Sequence, residues 1–279
     1  MRVGVVGCGL MGSGIAEVCA RAGLDVVVVE SDAERVEAGT KRLTASLERA
    51  QSRGKIDDAA AVLARISLGY DPAALADREL VVEAIAENEQ LKIEMFALLD
   101  KIVDAPDAIL ATNTSSIPIM KIGVATQRPQ QVVGVHFFNP VPVLSLVEIV
   151  PSLLTSPETT RGATDFVQTL LGKHAITCQD RAGFVVNALL IPFILSAIRM
   201  LESGFATAAD IDEGLVRGAA HPQGPLALAD LIGLDTTQAV AVSLYEEFKE
   251  PLFAPPPLLN RMVDAGLLGR KTGRGFYTY

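Results

Sequence analysis

The sequence predicts an α/β protein: a doubly wound parallel sheet followed by an all-helical domain. Through the first half, short Val- and Ile-rich runs alternate with amphipathic stretches of helical period. That is the pattern of strands buried on both faces beneath helices. From about residue 183 the strand signals stop and only helical patterns continue. At 279 residues, 49% of them hydrophobic, the chain can build one large domain or two ordinary ones, with no compositional case for disorder.

The elements follow in order. Strands are expected at 2–6 (RVGVV), 25–30 (DVVVVE), 80–83 (LVVE), 108–112 (AILAT) and 132–136 (VVGVH). Helical patterns fall between them at about 12–22, 32–53, 88–102 and 116–123. The polar stretch from about 32 to 66 exceeds an ordinary crossover and reads as a helical excursion, basic near Arg49, Arg53 and Lys55. Two apolar runs, 131–138 and 143–150, flank an Asn-Pro…Pro turn and can fold back on each other. Helices are then expected at about 184–203, 208–216, 225–232, 235–248 and 257–265. The boundary is placed near Gln179–Gly183, giving domains of 1–182 and 183–279.

Lys+Arg 24 against Asp+Glu 33 leaves a net charge of −9, which argues against a general nucleic-acid binder. Three widely spaced cysteines show no metal-ligand pattern and suit a reducing compartment, with a cytoplasmic location expected. The most apolar stretch, 184–201, is interrupted by Asn187, Pro192 and Arg199 and is short for a membrane span. Burial between domains or subunits is the expected fate of that stretch.

Gly7-Cys8-Gly9-Leu10-Met11-Gly12 is a G-x-G-x-x-G between a strand and a helix. Gly7 allows a tight turn, Gly9 lets a pyrophosphate approach the backbone, and Gly12 permits close helix–strand packing. As a bare string the motif is weak, but Glu30 ends the next strand, where a carboxylate suits a ribose 2′-hydroxyl and disfavours a 2′-phosphate. The context predicts a Rossmann-type domain with NAD favoured over NADP, although Arg35 lies nearby in sequence.

Three further clusters stand out. His136 and Glu148 lie twelve residues apart on the two runs that fold back, in apolar surroundings. Such a pair serves structure more often than catalysis. Thr112-Asn113-Thr114-Ser115-Ser116 follows a strand, where ligands of open α/β sheets bind, yet Ser115 or Ser116 could equally cap the next helix. Asn187 opens an apolar helix after Arg181-Ala182-Gly183-Phe184, and a buried amide must find partners there.

With these motifs in this order, the chain resembles the 3-hydroxyacyl-CoA dehydrogenase family, and its short form is similar to bacterial 3-hydroxybutyryl-CoA dehydrogenases. The likeness runs from VGCGLMGSGIA through EAIAENEQLK, TNTSS, HFFNPVPV and RAGFVVN to HPQGPLALADLIGLD and GLLGRKTGRGFYTY. The resemblance implies that His136 is the general base on the 3-hydroxyl and that Glu148 orients its ring. It implies that Ser115 bonds the substrate oxygen and that Asn187 positions the substrate. It further implies that Gly7, Gly9, Leu10, Met11, Gly12 and Glu30 hold NAD, with Glu87, Lys92 and Asn113 lining its nicotinamide half. Relatives often carry Asp where this chain has Glu30. Ser46 and Arg53 fall where the family contacts coenzyme A, Arg replacing Lys. An acyl-CoA substrate, a role in fatty-acid metabolism and a homodimer through the helical domain are implied as well. A related dehydrogenase of a sugar acid or carrier-bound hydroxyacyl group, or a non-catalytic NAD-binding structural protein, are the competing readings.

Overall fold

In the computed structural model, which describes residues 1–279, the first compact unit covers Met1–Asp180 and the second Arg181–Tyr279. The first unit runs β1 (Arg2–Val6), α1 (Leu10–Arg21), β2 (Asp25–Val29), α2 (Ala33–Ser52), α3 (Ala59–Leu63), β3 (Ile66–Gly69) and β4 (Leu80–Glu83). It continues through α4 (Glu89–Ile102), β5 (Ile109–Thr112), α5 (Ile119–Gly123), β6 (Val132–Phe137), β7 (Leu146–Pro151), α6 (Pro157–Asp165) and β8 (His174–Thr177). The strands form one sheet in the order β3-β2-β1-β4-β5-β6-β7-β8. β1 to β6 are mutually parallel, so their carboxyl ends share one edge, and the order reverses between β1 and β4. That switch point is where open α/β sheets bind ligands.

Buried side chains on both faces hold the sheet. Val5, Val28, Leu80, Val82 and Val135 are inaccessible to solvent, and Ile15 of α1 and Leu43 and Leu47 of α2 pack into the same core. Each such side chain contributes about 1.5–3 kcal/mol by leaving water. The helices start where the sequence supplies caps: Asp32 accepts from Arg35 N at 2.9 Å and Asn88 from Leu91 N at 3.0 Å.

Several expectations are corrected here. The excursion from 32 to 66 is not helical throughout: it breaks after α2, resumes as the short α3, and runs into the edge strand β3, which its mixed Ile-Ser-Leu-Gly sequence conceals. Strand β8 was likewise not expected, because His174-Ala-Ile-Thr is partly exposed and carries little apolar signal. The sheet is not wholly parallel, since β7 runs antiparallel to β6 as the fold-back of 131–138 on 143–150 predicts. The helix expected from 116 begins only at Ile119, after Pro118. Neither Ser115 nor Ser116 caps it: the Asp180 carboxylate accepts from Ile119 N at 2.9 Å and Met120 N at 2.8 Å.

The second unit contains α7 (Val186–Glu202), α8 (Ala208–Gly218), α9 (Pro225–Ile232), α10 (Leu234–Phe248) and α11 (Pro257–Asp264) around its own core, including Ile194, Leu195, Leu226, Leu244 and Leu259. Two buried aspartates tie its last residues down. Asp212 accepts from the Tyr277 hydroxyl at 2.9 Å, and Asp230 from Phe276 N and Tyr277 N, both at 2.9 Å. No single helix is long and apolar enough to cross a membrane.

Candidate active site

The turn between β1 and α1 has the geometry of a phosphate-binding glycine loop. Gly7 has φ +90°, a conformation that favours glycine. A Cβ on Gly12 would stand 1.9 Å from the Gly7 carbonyl oxygen, whereas one on Gly9 would meet nothing within 4 Å. The backbone of Gly9 is therefore open to a ligand at the N-terminus of α1, whose first residues are Leu10 and Met11. Burial first, and then the Glu30 charge, push the Cys8 thiol up to about 11, so it stays protonated inside the loop.

A cleft of about 540 Å³ adjoins this loop, lined by Gly7, Gly9, Glu30, Arg35, Ile85 and Leu98 among others. Glu30 follows β2, and its carboxylate accepts from Cys8 N and, at 3.2 Å, from Ser31 N. Arg35 lines the same cleft but is held by Asp32 at 3.6 Å. An open glycine backbone, a carboxylate at the end of β2 and apolar walls fit the adenosine half of NAD.

The reactive groups meet along the carboxyl edge. His136 lies near the end of β6, and Glu148 is its direct register partner on antiparallel β7. The imidazole Nδ1 and Glu148 Oε2 are 2.7 Å apart, with Glu148 wholly buried and His136 4% exposed. A carboxylate at Nδ1 takes that nitrogen's N–H, so in the neutral ring Nε2 keeps its lone pair. Nε2 faces the Ser115 hydroxyl at 3.3 Å. Asn113 contributes from behind, its Oδ1 accepting from Phe137 N at 2.8 Å and tying the end of β6 to the loop after β5.

Glu87 gathers that loop. Its Oε1 accepts from the Thr114 hydroxyl at 2.6 Å, Ser115 N at 2.8 Å, and both Ser116 N and the Ser116 hydroxyl at 3.2 Å. Its other oxygen lies 3.4 Å from the Lys92 ammonium. Lys92 is 1% exposed and is neutralised chiefly by Glu83, at 2.5 Å, which also accepts from the Thr112 hydroxyl at 2.7 Å. Sequence reasoning missed Glu83 and Thr114. The signal for Glu83 was a lone acid ending an otherwise apolar strand.

The structure brings Ser115, His136 and Glu148 together within the first unit. Asn187 is the second residue of α7, half-buried, in the second unit. Ser46 lines a cavity of about 140 Å³ with Arg42, Arg49 and the turn Asn139–Pro142. Arg53 is the exposed C-cap residue of α2, and it is Arg49, one turn earlier, that shares the cavity with Ser46. Spacing of three residues on one helix face was the signal for Arg49.

Fold and cofactor cleft together define an NAD-linked oxidoreductase. Comparison with known proteins names the group. The model of the 3-hydroxyacyl-CoA dehydrogenase NAD-binding domain matches residues 2–181, and that of the family's C-terminal domain matches residues 183–279. The chain belongs to the 3-hydroxyacyl-CoA dehydrogenase family. It is 56% identical over 280 residues to the 3-hydroxybutyryl-CoA dehydrogenase of Mycobacterium tuberculosis, covering 100% of this chain and 98% of that one. The crystal structure of M. tuberculosis FadB2 superposes with a TM-score of 0.98 at 56% identity, covering 100% and 98% of the two chains. The Ralstonia eutropha (S)-3-hydroxybutyryl-CoA dehydrogenase PaaH1 gives 0.93 at 46% identity, again covering 100% and 98%.

Proposed function

We propose that the protein interconverts (S)-3-hydroxyacyl-CoA and 3-oxoacyl-CoA with NAD, acting on short chains such as 3-hydroxybutyryl-CoA. The observation that carries this reading is the line Glu148–His136–Ser115, with contacts of 2.7 Å and 3.3 Å. His136 Nε2 takes the proton of the 3-hydroxyl as C3 is oxidised, and returns it in the reverse direction. Glu148 fixes the tautomer and stabilises the imidazolium that forms. Ser115 donates to the substrate oxygen from a loop held by Glu87, and Asn187 positions the substrate. Gly7, Gly9, Leu10, Met11, Gly12 and Glu30 would hold NAD, with Glu87, Lys92 and Asn113 at its nicotinamide half. Bound there, NAD supplies the hydride acceptor.

We assign residues 1–182 to NAD binding and 183–279 to dimerisation and Asn187. A homodimer is supported by the exposed apolar stripe of α7, where Leu189 is 71% and Met200 42% exposed and Val185 precedes them at helical spacing. A reducing cytoplasm suits three cysteines that are all free, and fatty-acid metabolism is the setting we infer from the substrate. The test is a spectrophotometric assay of NADH oxidation by acetoacetyl-CoA, followed by longer 3-oxoacyl-CoA substrates. Turnover fastest with the four-carbon chain is expected. No turnover with any 3-oxoacyl-CoA would overturn the proposal.

A further inference from the structure

Two carboxylates follow β2 in close succession, and they stand differently to the cofactor cleft. Glu30 lines it, with its two oxygens engaged by the backbone N–H groups of Cys8 and Ser31. Asp32 does not line it, but Ser31 and Arg35 on either side of Asp32 do. Arg35 is the only cation among the lining residues, where the acids are Glu30 and Glu94.

The oxygens of Asp32 divide two tasks between them. Oδ1 accepts from Arg35 N at 2.9 Å and so caps α2. Oδ2 accepts from the Ser31 hydroxyl at 2.8 Å and lies 3.6 Å from Arg35 Nε. Donation from the Arg35 backbone, and after it from the Ser31 hydroxyl, holds the Asp32 carboxyl below the usual carboxylate range, so it is ionised at neutral pH. A hydroxyl and a guanidinium are the donors with which a protein meets a phosphate monoester, the guanidinium by a bidentate fork. One oxygen of Asp32 engages both. Because the side chains of Arg35 and Asp32 are each more than half exposed, their ion pair is weak, and Arg35 is restrained by it but not locked.

We propose that Asp32 is a second determinant of cofactor choice: through Ser31 and Arg35 it withholds from the cleft the two donors that a ribose 2′-phosphate would need. Glu30 repels such a phosphate, and Asp32 leaves it without a compensating partner, so rejection rests on a missing attraction as well as on a repulsion. Asp32 is therefore a positioning residue, since it acts on the cleft only through its neighbours. The inference rests on placing the adenosine half of NAD in this cleft.

The probe is Asp32→Asn. Asparagine keeps one oxygen to cap α2, but an NH₂ replaces Oδ2 and cannot accept from Ser31 or Arg35. Fluorescence titration at physiological ionic strength should show NADPH bound roughly tenfold more tightly than by the wild type, the worth of one charge-assisted hydrogen bond to phosphate. NADH affinity and the melting temperature by circular dichroism should not move, because the cap survives and no cofactor contact is removed. Loss of a carboxylate favours any anion, so a second change separates charge from donors. Adding Arg35→Ala to Asp32→Asn should cancel most of the gain, whereas Arg35→Ala alone should leave NADPH affinity as it was, its guanidinium being already engaged. An Asp32→Asn enzyme with wild-type NADPH affinity, a gain shared equally by NADH, or a gain that survives Arg35→Ala overturns the proposal. Wild-type protein that fails to bind NADH overturns the placement of the cofactor as well, which tells the two failures apart.

Discussion

Replacing Glu148 by Gln removes one charge and almost nothing else. The side chain is wholly buried and sits opposite His136 in the ladder, so the isosteric amide keeps its place. The Nδ1–Oε2 contact of 2.7 Å puts the charge centres of an imidazolium–carboxylate pair about 4 Å apart. At an effective dielectric of about 20 that attraction is worth about 4 kcal/mol. A hydrogen bond from Nδ1–H to the amide oxygen recovers about 1.5 kcal/mol. The remaining 2.5 kcal/mol corresponds to a fall in kcat of roughly 10²-fold at 1.36 kcal/mol per decade. The loss is larger if the amide turns its NH₂ to the ring, because that selects the wrong tautomer. Steady-state kinetics in both directions, with NADH affinity by fluorescence and melting by circular dichroism, read the effect. NADH binding should survive, since the proposed dinucleotide site is the glycine loop and not the His–Glu pair. His136→Gln should cost roughly 10²–10⁴-fold in kcat, and adding Glu148→Gln to it should cost nothing more, because Glu148 acts through the ring. A Glu148→Gln enzyme within threefold of the wild-type kcat, or a double variant whose losses multiply, would refute this reasoning.

Three further outcomes are expected. NADH should bind more tightly than NADPH because a 2′-phosphate would meet Glu30, and Glu30→Ala should narrow that gap; equal affinities in the wild type would remove the argument. Gly12→Ala should weaken NADH binding at least about tenfold and lower stability by about 1–3 kcal/mol, since its methyl would lie 1.9 Å from the Gly7 carbonyl oxygen; a fluorescence titration and a denaturant melt check both. Sedimentation at micromolar concentration should give twice the chain mass of 29.5 kDa, and Leu189→Glu on the exposed α7 stripe should shift it towards the monomer.

The parts of this molecule that were legible in sequence are those whose physics is local. Val- and Ile-rich β1, β2 and β4 announce themselves because both their faces are buried, and the helical periods of the second unit fall within a few residues of α7 to α11. β3 and β8 are half-exposed and short, so neither a continuous nor an alternating pattern marks them. Ser115 and Ser116 read equally as helix caps or as ligand contacts, because small hydroxyl residues before a helix often cap it. The donors that matter point instead to Glu87, 27 to 29 residues upstream, and a carboxylate 61 residues downstream, Asp180, does the capping. No local pattern encodes partners at such separations.

The His–Glu pair lies between these extremes, and the topology explains why it could be suspected but not placed. A parallel neighbour of β6 would return through a crossover, and its carboxylate would enter the ladder from the opposite edge. The short connection 138–145 after Phe137 makes β7 antiparallel, so it leaves the same carboxyl edge at which β6 arrives. Glu148, third in β7, then stands opposite His136, second from the end of β6, and both belong to the edge that carries the glycine loop and Ser115. A one-residue slip in this register would turn Glu148 to the other face of the sheet, away from the ring. Side chains that pack only at the observed register guard against it: Val135 and Ile149 are paired and fully buried, as is Val147 opposite Phe137. The apolar residues around the pair therefore do more than exclude water. They fix the register that sets the contact at 2.7 Å, and thereby which imidazole nitrogen faces Glu148 and which faces Ser115.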